Sequence, residues 1–249
     1  MGTISVNKLG GLALMLAPAI TLIFYFLQPG GSFIDAADPA NATETISALV
    51  SNAALGKIVS VIIPTHNRDW LITKTISYVL DQTYADLEII VIDNGSTDNT
   101  RSVVESVLDD RITYIYQNNS GSPAKPRNTG IAASKGRYVS FLDDDDVWYP
   151  TKLEHVVNAF ESTTSPDIVC HNQYENNHGR LSKLLRYKSN RENTFDHLLF
   201  HGNCLSGSAT TVKRQALIEA KGYREEPEFF EIEDYDLWIR LALLGKQFH

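Results

Sequence analysis

From Lys57 onward the chain alternates short apolar runs with stretches of helical periodicity, and each apolar run is closed by a polar cluster. That alternation constrains the fold more than any other feature, because strands buried on both faces and separated by helices form an α/β domain with a largely parallel sheet. Residues 58–64, 87–92, 112–116 and 137–142 read as strands, and residues 71–80, 99–108 and 126–134 as helices. Asp98 or Thr97 can cap the second helix, and Pro126 is tolerated in the first turn of the third. Further on, 207–213 reads as a strand and 214–220 as a short helix that Gly222 ends. Between them, 172–200 is polar and weakly periodic. It suits a variable excursion near a binding site, or equally a surface loop with no role.

A chain of 249 residues with 43% hydrophobic content can bury one sizeable core or one domain with an appendage. A formal net charge of -8 argues against a nucleic-acid surface, which needs clustered Lys and Arg. Cys170 and Cys204 lack metal-ligand spacing and read as buried free thiols. No internal repeat is present.

Residues 1–56 form a hydrophobic segment and linker, and 57–249 the α/β domain. Residues 9–27 are apolar with Pro18 near the middle, long enough to cross a bilayer as a helix, so membrane association through this segment is expected. Lys8 precedes the run and Asp35, Asp38 and Glu44 follow it, so the charge rule would place the rest of the chain outside. The expectation is instead a cytoplasmic catalytic domain, membrane-associated through the segment, or soluble if 1–56 is not native to the domain.

In open α/β sheets ligands bind beyond the carboxyl ends of the strands, and the polar clusters fall there. Asp143, Asp144, Asp145 and Asp146 directly follow one strand, a charge density that calls for a cation. Mg²⁺ or Mn²⁺ takes oxygen ligands and commonly shares one or two carboxylates with a substrate's phosphates. On an extended backbone Asp143 and Asp145 would share a side and hold the metal, with Asp144 turned elsewhere, toward a sugar hydroxyl.

Five segments in series, 59–68 ending in Pro64-Thr65-His66-Asn67-Arg68, 92–98 with Asp93-Asn94-Gly95, 126–130 with Arg127, 141–148 with the aspartates, and 233–238 with Glu233-Asp234-Tyr235-Asp236, resemble the family 2 glycosyltransferases. The resemblance implies a GT-A fold, Rossmann-like with helices on both sides of a mostly parallel sheet, and an inverting transfer from a nucleotide-sugar donor, UDP-linked, to a hydroxyl of a glycan, lipid-linked or protein acceptor. It implies nucleotide contacts from Pro64, Thr65, Asn67, Arg68, Asp93, Asn94 and Gly95, with Arg127 clamping the uridine or diphosphate and Asp143 and Asp144 facing the donor. His66 stands where the family often has Tyr, for an edge or stacking contact. Asn94 replaces the family's second acid, and its amide oxygen still accepts a hydrogen bond. Family members commonly continue past the last helix, so the domain is expected to be truncated at its C-terminus.

The general base is expected among Glu233, Asp234 and Asp236. Helical spacing puts Asp234 at the end of the stripe formed by Leu237, Trp238 and Leu241, and turns Asp236 toward solvent. The resemblance selects Asp234 as well. Two other readings stand beside this one. A sugar nucleotidyltransferase would carry a Gly-rich basic loop after its first strand, which Pro64 to Arg68 is not. A membrane-associated scaffold would bind the sugar nucleotide without turnover.

Overall fold

The computed structural model describes residues 59–177, 180–187 and 194–249. The described residues all belong to one compact unit, Lys57–His249. The expected membrane helix at 9–27 lies outside the described residues, and among those described no helix is long and apolar enough to cross a membrane.

The elements in order are β1 (Val59–Thr65), α1 (Asp69–Leu80), β2 (Leu87–Asn94), α2 (Thr100–Glu105), β3 (Ile112–Gln117), α3 (Ala124–Ala133), β4 (Tyr138–Phe141), α4 (Lys152–Phe160), β5 (Ile168–Cys170), β6 (Gln173–Asn177), β7 (Arg180–Leu185), α5 (Thr194–His201), β8 (Thr210–Lys213), α6 (Arg214–Glu219) and α7 (Glu233–Leu243). The main sheet has the order β3-β2-β1-β4-β8-β5. Strands β3, β2, β1 and β4 are parallel, as expected, whereas β8 runs antiparallel between β4 and β5. The chain enters β8 from a 3₁₀ turn, Gly207–Ala209, at the edge where the parallel strands end. It therefore has to run back the other way.

Two cores sandwich the sheet. Ile62, Ile90, Val139 and Phe141 face one, with Leu217, Leu237, Trp238 and Leu241 of α6 and α7. Val61, Ile63, Ile89 and Val91 face the other, with Ile72, Ile76 and Val79 of α1 and Leu153 and Phe160 of α4. Burial on both faces explains why these strands read as continuous apolar runs.

Expectations change at several places, among them the strand read at 207–213, whose first three residues form the 3₁₀ turn. Helix α2 stops at Glu105 rather than near residue 108, and Leu108 beyond it is 96% exposed, so no burial rewards a further turn. The segment 172–200 is not simply a loop: it holds the antiparallel hairpin β6–β7 and helix α5. The hairpin forms a two-stranded sheet of its own, which leaves little of the alternation that burial against a core imprints on a strand.

Gly130 lies mid-helix in α3, where a Cβ would stand 2.4 Å from Ile62 Cγ2 on β1. In an open helix Gly→Ala stabilises by up to about 1 kcal/mol. Here overpacking of about 1–3 kcal/mol outweighs that gain, so Gly130→Ala is expected to lower the urea midpoint; a raised midpoint would show that α3 can move off the sheet.

Candidate active site

The site is built on the C-terminal ends of β1, β2 and β4, with α3, the turn before β8 and the start of α7 closing it. Its centre is Arg127. Placed in the first turns of α3 and only 4% exposed, it donates from Nη2 to Asp143 Oδ1 at 2.8 Å and from Nη1 to Glu233 Oε1 at 2.9 Å and Asp234 Oδ1 at 3.1 Å. Its guanidinium lies over the Tyr223 ring, 5.5 Å from the centroid. Burial works against this charge, but Asp143, Tyr223 and Asp234 overturn that and hold the guanidinium above its ordinary range. Arg127 is thus a hub for three carboxylates, a role the sequence reading did not assign to it.

Asp234 is the more open of the α7 pair, 26% exposed against 8% for Glu233. Burial pushes its carboxyl up to about 6; Arg127 opposes the rise, and Glu233 and Asp143 add to it. Across from it lies Gly207, where a Cβ would come within 3.3 Å of Asp234 Oδ2. Asp236 does not turn to solvent. It is 12% exposed and paired with Arg224 at 3.2 Å and Arg240 at 2.7 Å, because those two arginines give the far face of α7 partners of its own. The helical spacing still separates the two acids, since Asp236 has no bond to Arg127.

The aspartate run is a turn, in which the Asp146 N–H donates to the Asp143 carbonyl at 3.1 Å. Strand alternation therefore ends before it, and Asp143 and Asp145 have separate partners: Arg127 for the first, and for the second Arg68 at 3.9 Å. Asp144 points inward rather than toward a sugar, accepting from Thr65 Oγ1 at 2.6 Å, while its carbonyl accepts from Thr75 Oγ1 at 2.7 Å. Burial raises the Asp144 and Asp146 carboxyls, opposed by the bonds from Thr65 and Ser208 respectively. The protein thus supplies much of the counter-charge that the bare sequence assigned to a metal. Among the described residues no three His, Cys, Asp or Glu side chains form a metal cage. Asp145, 58% exposed with a single long ion pair, fits a cation that takes its other ligands from water and a diphosphate.

The nucleotide-side residues are largely bonded to one another. Asp93 is 1% exposed and accepts from Tyr114 Oη at 2.6 Å and the Ser96 N–H at 2.7 Å. The Asn94 oxygen, expected to be open to a ligand, already takes Gln117 Nε2 and the N–H and hydroxyl of Ser120, which fills its acceptor capacity. Asn67 ties the loop after β1 to the loop after β2, donating its N–H to Ser96 Oγ and accepting from the Thr97 N–H, both at 2.8 Å. Gly95 has φ +85°, and a Cβ there would meet the Asn119 backbone N at 2.6 Å, so both conformation and space demand glycine. Pro64 is half-buried, and Arg68 precedes α1 with its N–H on Thr100 Oγ1 at 3.3 Å. His66 is exposed and lies 3.2 Å from Asn67 Nδ2 through Nε2.

Sequence reasoning missed Gly207, Ser208 and Tyr223. Ser208 Oγ accepts the Asp143 N–H at 3.0 Å, and its carbonyl accepts from Trp148 Nε1 at 2.9 Å. Nothing local marks these residues: Gly207 and Ser208 matter because β8 returns beside β4, and Tyr223 because its ring meets Arg127 on α3.

A family description, glycosyl transferase family 2, matches residues 60–220. The chain is 32% identical over 184 residues to the Escherichia coli UDP-Glc:alpha-D-GlcNAc-diphosphoundecaprenol beta-1,3-glucosyltransferase WfgD, covering 74% of this chain and 69% of that one. It is also 32% identical over 193 residues to an uncharacterized glycosyltransferase of Rickettsia prowazekii, of which it spans 58%. Among solved structures, S. aureus TarS 1–349 in complex with UDP superposes with a TM-score of 0.64 at 23% identity over 77% of this chain and 56% of that one, a likeness of fold. The matched residues run from β1 through β8 and include every site loop except the one leading to α7, and the chain belongs to glycosyl transferase family 2.

Proposed function

We propose that the protein transfers a sugar from a nucleoside-diphosphate sugar, UDP-linked, to a hydroxyl of a lipid-linked glycan with inversion at the anomeric carbon. The observation that carries this reading is the half-open Asp234 carboxylate, held by Arg127 opposite the bare Gly207 and raised to about 6. A carboxylate in that range is ionised at neutral pH and still basic enough to take a proton from an acceptor hydroxyl as transfer proceeds. Arg127 orients it and keeps the neighbouring Asp143 and Glu233 from repelling it. One displacement suffices, so no nucleophilic side chain is required. The UDP complex of TarS and the acceptor in the name of WfgD support the donor and the lipid-linked acceptor. The setting this implies is a cytoplasmic domain acting on a membrane-borne substrate.

Asp145, helped by Asp143, would hold Mn²⁺ or Mg²⁺, which when bound neutralises charge on the departing diphosphate. The Mn²⁺ in the complex of Pyrobaculum calidifontis PcManGT with GDP-Man supports a divalent metal. Thr65, Asn67, Asp93 and Asn94 hold the loops of the donor side in place, so that Pro64, Arg68 and the backbone around Gly95 meet the nucleotide without rearrangement. The loop after β1 has no glycine, which disfavours a nucleotidyltransferase. Release of free UDP from UDP-glucose in the presence of a lipid-linked N-acetylglucosamine acceptor tests the reading; binding without release would leave a scaffold.

Asp234→Asn is expected to keep donor affinity and lower turnover by about 10²–10⁴. Asp236→Asn should instead act on stability, lowering the unfolding midpoint through the loss of Arg224 and Arg240 as partners. Equal losses of turnover would contradict the assignment.

Because Asp234 sits near 6, kcat/KM should fall as pH drops through 6, about tenfold per unit below it, and this limb should vanish in Asp234→Asn. The same shift makes folding stability fall as pH rises from the carboxylate's unfolded value, about 4, to 6, since the folded state binds the proton more tightly. A rate profile that stays flat over roughly one pH unit either side of that value would remove Asp234 as the base.

Excess EDTA should abolish UDP release, and Mn²⁺ should restore it. Asp145→Ala is expected to raise the metal concentration needed for half-maximal rate, whereas Asp144→Ala should lower the melting temperature through loss of the Thr65 bond. Full activity in EDTA would exclude the metal.

A further inference from the structure

The excursion from residue 171 to 206 begins and ends at the catalytic edge. Strand β5 runs the same way as β4, since both pair antiparallel with β8, so Cys170 leaves the sheet at the same edge as the aspartate turn, with β8 between them. The chain returns through Ser208, which holds the Asp143 N–H. The excursion carries Arg180, Lys183, Arg186, Lys188 and Arg191 against Glu175, Glu192 and Asp196, five basic residues to three acidic, in a chain with 30 acidic and 22 basic residues. That is a reversal of the chain's overall sign. Lys183 and Arg186 are exposed, and neither has an ion-pair partner among the described residues.

Apolar side chains accompany these cations. Tyr174 on β6 is 50% exposed and Leu181 on β7 57%. Helix α5 buries Leu198 but leaves Leu199 at 49% and Phe200 at 73%. Hairpin and helix share a root, for Tyr187 and Thr194 line one cavity with Cys170 and Cys204. Exposed Leu and Phe together with unpaired Lys and Arg are what an anionic bilayer surface recognises: the rings and aliphatic chains enter the headgroup boundary and the cations meet lipid phosphates.

We infer that hairpin β6–β7 and helix α5 form a docking surface for anionic phospholipid, which brings the catalytic edge down onto a membrane-borne acceptor. The inference rests on the lipid-linked acceptor proposed above. It concerns residues 173–177, 180–187 and 194–201.

The test is amide hydrogen exchange on the full chain with vesicles of phosphatidylcholine alone and of phosphatidylcholine with phosphatidylglycerol. Slower exchange over 173–187 and 194–201 is expected with the anionic vesicles only. One cation near an anionic leaflet is worth about fivefold in affinity, so Lys183→Gln with Arg186→Gln should weaken the lipid dependence of that protection on the order of 20-fold. Leu199→Ser with Phe200→Ser should remove it from α5. Both double variants should retain donor hydrolysis, which shows that the fold is intact. Equal protection by both vesicles, protection by neither, or the same protection by soluble polyglutamate would overturn the inference, the last in favour of an acidic protein partner. Transfer to a lipid-linked acceptor without this protection would leave the proposed function standing and remove the docking surface. Protection without such transfer would do the reverse.

Discussion

The buried Arg127 guanidinium is the interaction on which the site depends. Three carboxylates, from the end of β4 and from the first turn of α7, meet it at hydrogen-bond distance. None of them could sit there with the others unless a cation lay between them, and the cation could not be buried without them. Removing Arg127 would leave these carboxylates, the buried Glu233 among them, without the cation they share, a loss of about 3–5 kcal/mol. The contact also joins parts of the chain more than a hundred residues apart, Arg127 to Glu233 and Asp234. It aligns the proposed base with the aspartate turn.

Around this hub many polar residues that look like ligands serve as ties between loops. Thr65 is spent on Asp144, Asn67 on the loop after β2, Asn94 on Gln117 and Ser120, and Asp93 on Tyr114 and Ser96. Each bond fixes a loop before any substrate arrives. A binding edge prepared this way spends little binding energy on ordering itself, which is how preorganisation supports both affinity and rate. The residues left exposed, Arg68, Asp145 and the half-open Asp234, are those placed to meet a donor, a cation and an acceptor.

The parallel part of the sheet was legible because its strands are buried on both faces and so carry unbroken apolar runs; β1 and β2 match expectation to within two residues at each end among the described positions. The polar clusters were placed correctly at strand ends for the same reason, since a buried run must stop where water begins. The base candidates were narrowed by helix geometry, yet the environment of Asp236 was misjudged, because Arg224 lies on another segment and periodicity within one helix cannot see it. The hairpin β6–β7 left no clear pattern because neither of its strands belongs to the main sheet.

The sequence by itself determined the α/β class, the site edge, the acidic run and the family resemblance, all of which follow from local periodicity and short motifs. Only the tertiary structure decided which carboxylates meet, that Arg127 faces inward to join them, that the aspartate run is a turn, and that Gly207 and Ser208 complete the site. Those facts depend on β8 returning antiparallel beside β4 and on α7 reaching back to α3. Contacts between distant segments are set by how whole elements bury their faces, and no window of neighbouring residues contains that information.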